Sequence, residues 1–450
     1  MNKPDAFQAA YVPMGVPTFH QESARRAFEV SLALLCSLGA AVAAPEGPLL
    51  SAEALGDFLD TVDPDLIVLQ NTTFANGAYA AEVMARFRDR PLVLWTLREP
   101  VIDGGRLRLN SLTGAYSAAN VIRRFRPGPL PFVYGAPAEE RVQKELRAAF
   151  QAAAVTRDLH GLTLAQVGHT PPGFGFGRAL DGEMLDVFGV HMISVEAREL
   201  IDRAKSYTDD ECAEYLADAG RRMTGLENTP EGNRLDFARL YKAYDSFTKE
   251  NRIGALASRC WPDFFTAFGT PVCAVLGILN DLGVAAACEA DAWGALSMYI
   301  GQRLTGCPAF FGDPVSLDEE ANTITFWHCG TAACSLARAE TGAAVGEHCN
   351  RHIGPTLEFG CRASRKAALF RVGRTPEGRF RFLAEPGEIL DRPQQFSGTS
   401  LVFRPDKNAE ALVRSTVRDG WEPHYAVLFG DAVPALRTLG DFLDIPLYEF

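Results

Sequence analysis

The chain has 450 residues, enough for about two to four domains with sizeable cores. Its 47% apolar and 22% charged residues are ordinary for a globular protein, and a formal charge of −12 excludes a general nucleic-acid or anionic-membrane surface. Ten cysteines without a CxxC pair read as buried free thiols in a reducing compartment, Cys36, Cys273 and Cys288 among them. Residues 1–15 lack the apolar stretch of a signal peptide, and the uncharged runs 30–45 and 264–280 are too mixed to span a bilayer. The expectation is a soluble, cytoplasmic protein.

Residues 7–135 read as a first α/β unit. Residues 9–13 form a short strand, 21–38 a helix that stops near Gly39, and 65–70 and 91–95 continuous apolar runs of the kind that make buried parallel strands. Residues 131–135 are a further strand, and the helical stretch 138–154 leads to the next unit. A second α/β unit has strands at 164–167, 190–194, 253–257, 284–288 and 308–311, with a polar helical zone over 197–251. After residue 314 the texture changes to short alternating segments (323–327, 367–372, 380–383, 400–403) between turns, which predicts an antiparallel barrel or sandwich. A helix-and-strand tail, 408–450, completes it. The architecture expected is two doubly wound α/β domains, 1–158 and 159–313, followed by a C-terminal antiparallel β-barrel-like domain, 314–450.

The chemistry concentrates in 282–330. The apolar run 284–288 ends on Glu289, an amphipathic helix follows over 293–304, and a second apolar run ends on Asp313. Two strand-end carboxylates 24 residues apart can converge on one site at the carboxyl edge of a parallel sheet. Such a pair can bind a hard divalent cation or act as general acid and base. Either alone is more often an N-cap or a turn former. His328, in Trp327-His328-Cys329-Gly330, and His424, before the apolar run 426–429, are structural histidines or site members. His348 and His352 flank a polar turn that carries Arg351. The stretch 171–178, Pro-Pro-Gly-Phe-Gly-Phe-Gly-Arg, is no dinucleotide fingerprint and suits a substrate-lining loop, and no phosphate-binding GxxxxGK[ST] occurs. A nucleotide-dependent dehydrogenase is therefore disfavoured.

These residues carry a resemblance. CWPDFF (260–265), LNDLGVAAACEADAWGAL (279–296), FFGDP (310–314), WHCG (327–330) and PHYAVLFGD (423–431) resemble the L-fucose isomerase/L-arabinose isomerase superfamily, and within it the fucose-isomerase-like branch. LREPVIDGGRLRLNSLTG (97–114) and GHTPPGF (168–174) extend it weakly into the N-terminal half. The resemblance implies a metal-dependent aldose–ketose isomerase working through a cis-enediol on a hexose or modified hexose. The substrate is of the L-fucose/D-arabinose type or is sulfoquinovose, a 6-sulfonated glucose that some members turn into sulfofructose. It implies Mn2+ or another divalent cation on Glu289, Asp313 and His424, with Glu289 and Asp313 as the acid/base pair. Relatives commonly carry two adjacent histidines at the last position, where Pro423 precedes a single His424 here. Substrate contacts are implied for His328, Trp261, Arg178, Arg351 and, from the loop 15–20, His20. A sulfonate needs a cationic pocket, for which Arg98, Arg178 and Arg351 stand in the right loops. Family members assemble as homotrimers or homohexamers. The alternative is a non-catalytic sugar-binding or regulatory protein on the same scaffold.

Overall fold

The computed structural model describes residues 7–450 and divides into two compact units. The first takes the chain up to Asp158 together with Pro434–Ile445. Its strands β1 (Gln8–Met14), β2 (Ala41–Ala43), β3 (Leu66–Asn71), β4 (Leu92–Thr96) and β5 (Phe132–Tyr134) form one parallel sheet in the order β2-β1-β3-β4-β5. Because strand side chains alternate, Val12, Leu69 and Leu94 enter one core, whereas Tyr11, Val68 and Trp95 enter another on the opposite face. Two buried faces explain why these strands read as unbroken apolar runs.

The second unit takes Leu159–Val433 and the last five residues. Strands β6 (Thr163–Val167), β7 (His191–Val195), β8 (Ile253–Ser258) and β9 (Ala285–Cys288) form a second parallel sheet, ordered β7-β6-β8-β9. The polar zone after β7 is three helices, Ala197–Ser206, Asp209–Arg222 and Glu231–Glu250. Asn280, buried in the helix Cys273–Asp281, holds β9 in place. Its side-chain amide donates to the Ala286 carbonyl at 3.0 Å and its oxygen accepts from the Ala286 N–H at 2.9 Å.

The remaining strands are β10 (Phe310–Asp318), β11 (Thr323–His328), β12 (Ala344–Gly346), β13 (Thr356–Gly360), β14 (Ser364–Arg374), β15 (Phe380–Ile389), β16 (Thr399–Pro405), β17 (Tyr425–Leu428) and β18 (Leu447–Tyr448). Six of them close an antiparallel barrel, β10-β11-β16-β15-β14-β17 and back to β10. No helix among the described residues is long and apolar enough to cross a membrane.

Four expectations change. The run 308–311 does not join the second parallel sheet; it opens β10, which pairs with β11 and β17. An apolar pair of phenylalanines is equally at home in either sheet, so the run alone cannot choose. The helix Ala292–Thr305 is not amphipathic, being buried from Ala292 to Met298 and again at Ile300 and Gly301. It packs on β8 and β9 on one side and on β14 and β17 of the barrel on the other. Cys36 is exposed, as the last residue of the helix Gln21–Cys36, although all ten cysteines are indeed free. Finally, Pro434–Ile445 belongs to the N-terminal unit rather than to the barrel.

Candidate active site

Glu289 follows β9 directly, and it and Ala290 both take left-handed backbone, at φ +58° and +54°. Two consecutive non-glycine residues in that region cost of order 1 kcal/mol each, strain that persists only where the surroundings enforce it. Here the next residue, Asp291, caps the buried helix Ala292–Thr305 by accepting from the Gly294 N–H at 2.8 Å. The kink thus aims Glu289 out of the sheet while Asp291 anchors the helix.

The other groups come from the barrel, and its register brings them together. Asp313 pairs with Trp327 across β10 and β11, next to His328. Gly312 pairs with Tyr425 across β10 and β17, so one further step sets His424 beside Asp313. His424 Nε2 lies 3.0 Å from Glu289 Oε2 and 3.4 Å from Asp313 Oδ1. His328 Nε2 is 3.8 Å from the same Glu289 oxygen, and the Trp261 indole N–H donates to Glu289 Oε1 at 3.3 Å. Phe176 and Phe311 set ring edges against His424, with centroids 5.1 and 4.8 Å away.

The groups pull one another's titration. Burial favours the neutral acid of Glu289, but hydrogen bonds from His328 and His424 win and hold it at about 2. Burial alone dominates Asp313 and raises it. Burial also favours neutral His424, yet Asp291 and Glu289 raise it to about 9. The carboxylates thus favour positive charge at the imidazole between them, and a divalent cation could supply that charge in place of the proton. Glu289, His328 and His424 offer ligand atoms within 4.8 Å of one another, and Asp313 Oδ1 stands 3.4 Å from His424 Nε2, so carboxylates and imidazoles together make a donor set that could hold a divalent cation.

The cluster opens on a cavity of about 270 Å³, lined by Phe174, Trp261, Glu289, Asp313, His328 and Arg351, among others. That is the scale of one monosaccharide rather than a larger ligand. Phe174 brings the loop 171–178 to the cavity, as its composition led one to expect. Arg178 at the end of that loop is turned away: its guanidinium donates to Thr170 Oγ1 at 2.8 Å. Arg98 is engaged by both oxygens of Glu139, at 2.6 and 3.0 Å, in the N-terminal unit. His20 is also in that unit, exposed, and caps the helix Gln21–Cys36 by accepting from the Ser23 N–H.

Two residues of the cluster escape a reading of the sequence. Asp291 stands two positions after Glu289, where it passes for a simple helix cap. Arg371 is fully buried within β14 and donates to both oxygens of Asp291, at 2.7 and 3.1 Å. A lone arginine inside the apolar run Ala367–Val372 was the available signal, since an arginine is almost never buried unpaired.

No protein-family model matches the sequence. The chain is 60% identical over 445 residues to a sulfoquinovose isomerase of Clostridium sp. (strain MSTE9), covering 98% of this chain and 99% of that protein. It is 36% identical over 442 residues to the sulfoquinovose isomerase of Alkalicoccus urumqiensis, covering 98% of each chain. It is likewise 36% identical over 439 residues to that of Priestia aryabhattai, covering 97% of each. Identity at this level over nearly the whole length settles the family and makes the chain an enzyme, not a binding protein on an enzyme's scaffold. It belongs to the sulfoquinovose isomerase family of isomerases.

Proposed function

We propose that this chain is a divalent-metal-dependent aldose–ketose isomerase that converts sulfoquinovose to sulfofructose. The names of its relatives support the substrate. The observation that carries the chemistry is the approach of Glu289 and Asp313 to His424 Nε2, at 3.0 and 3.4 Å, on the wall of a monosaccharide-sized cavity. Mn2+ or a similar cation held by Glu289, Asp313 and His424 supplies Lewis-acid stabilisation of the charge that develops on the sugar oxygens.

The side chains do the rest. One carboxylate takes the C2 proton to give the cis-enediol, and a proton returns at C1. Glu289 and Asp313 are the acid/base pair for these two proton transfers. Trp261, donating to Glu289 Oε1, holds that carboxylate's orientation. Arg351 lines the cavity and has no carboxylate partner among the described residues, so its charge is available for the sulfonate through charge-assisted hydrogen bonds. Assembly as a homotrimer or homohexamer, implied by the family resemblance, is part of the same proposal, and mass photometry tests it.

The test is conversion of sulfoquinovose in D2O by chelator-stripped protein, followed by NMR with and without added Mn2+. Sulfofructose formed only with the metal, and carrying deuterium at C1, is the expected result. Absence of conversion by Mn2+-loaded protein overturns the reading. Arg351→Met is expected to raise KM for sulfoquinovose about 10- to 100-fold, the worth of one charged hydrogen bond. An unchanged KM removes Arg351 from the sulfonate site.

A further inference from the structure

A buried ion pair stands behind His424. Asp291 and Arg371 have side chains 1% and 0% exposed, and neither faces the cavity. We infer that Asp291, clamped by Arg371 and by the N-terminus of the helix Ala292–Thr305, is the positioning residue that fixes His424 in the form whose Nε2 lone pair faces the reaction site.

Four contacts hold the Asp291 carboxylate. Asp291 Oδ1 accepts from the Gly294 N–H at 2.8 Å and from Arg371 Nη2 at 3.1 Å. Its Oδ2 accepts from Arg371 Nη1 at 2.7 Å and meets His424 Nδ1 at 2.9 Å. An ionised carboxylate has no proton to give, so His424 Nδ1 must carry the hydrogen in that last contact. The carboxylate cannot swivel, because three donors from two other elements already hold it. Nor can the imidazole turn over, with Phe176 and Phe311 packed on it.

With Nδ1–H committed to Asp291, the nitrogen whose proton can give way to a ligand is Nε2, the one aimed at Glu289 and Asp313. Histidines that hold metal ions usually give their second N–H to a carboxylate or carbonyl, and losing that partner costs about 10- to 100-fold in metal affinity. Arg371 explains how the carboxylate stays ionised in a dry interior, where an unpaired charge is too costly. The arginine comes from β14, whereas Asp291 starts the central helix and His424 precedes β17. The clamp therefore joins barrel and helix at the one histidine of the cluster that contacts both carboxylates.

Asp291→Asn keeps the shape and lets an amide N–H face Nδ1, which favours the opposite ring form. The expectation is a 10- to 100-fold weaker Mn2+ affinity, read from the free-ion EPR signal, in protein whose circular dichroism matches the wild type. A folded Asp291→Asn variant with wild-type affinity overturns the assignment. Should that variant fail to fold, the wild-type protein answers directly: 1H–15N spectra of labelled protein without added metal show a slowly exchanging Nδ1–H signal for His424 if the inference holds and no Nδ1–H signal if it does not. The inference rests on the metal reading above, and the two fail differently. Wild-type protein that binds no Mn2+ removes the cation, while the ring form in the NMR spectrum still decides the role of Asp291.

Discussion

The molecule contains two parallel sheets built on the same plan. Around their first strands, β2-β1-β3-β4 in the N-terminal unit and β7-β6-β8-β9 in the other run in corresponding order. Parallel sheets offer ligand sites at their carboxyl edge, yet the two edges are furnished differently. In the first sheet β3 ends in Gln70 and Asn71 and continues into Thr72 and Thr73, while β4 ends in Thr96. All five are buried and uncharged. In the second, β9 ends in a strained turn that presents Glu289, and barrel strands add Asp313, His328 and His424 to it. The difference teaches that topology supplies a place and not a chemistry. What turns an edge into a site is a charged group at the strand end together with a second element bringing complementary charges to it.

The strongest way to break that contrast is to remove the charge at the strand end. Glu289→Gln keeps the shape of the side chain and its place beside Trp261 and His424. It is expected to lower kcat by about 10²- to 10⁴-fold, the usual worth of a positioned acid/base group, with the fold intact by circular dichroism. Turnover within a few-fold of wild type would show that the edge of the second sheet is as inert as that of the first.

Much of this contrast was legible in the sequence. Glu289 and Asp313 stand out because each ends an apolar run, and β3 and β4 appear as continuous apolar runs, whereas β2 (Ala41–Ala43), only three residues long, was not read as a strand. What could not be read is non-local. Asp313 was expected on the strand next to that of Glu289, yet it lies on a barrel strand whose partners come from residues 323–328 and 425–428. The same two phenylalanines satisfy either neighbour. The tail 408–450 was read as one with the barrel, because nothing local says that Pro434–Ile445 belongs to the N-terminal unit. Arg371 reads as an oddity in a strand until its partner, 80 residues earlier, is known. In each case a residue's type was set by a contact far along the chain.

The second way to sharpen the comparison concerns the element that brings the barrel's charges to the sheet. The helix Ala292–Thr305 lies against both, and at Gly301 the absence of a side chain lets it lie against Leu428: a Cβ there would clash with Leu428 Cδ2. Leu428 is fully buried, so its side chain has little room to withdraw. Gly301→Ala is therefore expected to destabilise the protein by about 1–3 kcal/mol despite the better helix propensity of alanine, since overpacking outweighs it. Because Leu428 sits on β17, just after His424, kcat should fall with stability rather than independently of it. A urea midpoint equal to the wild type's would mean that helix and barrel are not held at this distance.

The smallest effect tests the quiet sheet. Thr96, at the end of β4, is fully buried, and its Oγ1 has no hydrogen-bond partner among the described residues. A hydroxyl taken from water without a new partner is a cost to the folded state. Thr96→Val removes it at nearly constant volume and is expected to stabilise the protein by about 1 kcal/mol, seen as a higher urea midpoint, with turnover unchanged. Glu289→Gln is expected to cost turnover and leave the fold intact, so the pair of variants separates a strand end that bears on stability from one that bears on activity. A loss of turnover in Thr96→Val would mean that the hydroxyl is held in reserve for a ligand. The first sheet's edge would then be a site as well, one that uses neutral donors where the second uses charge.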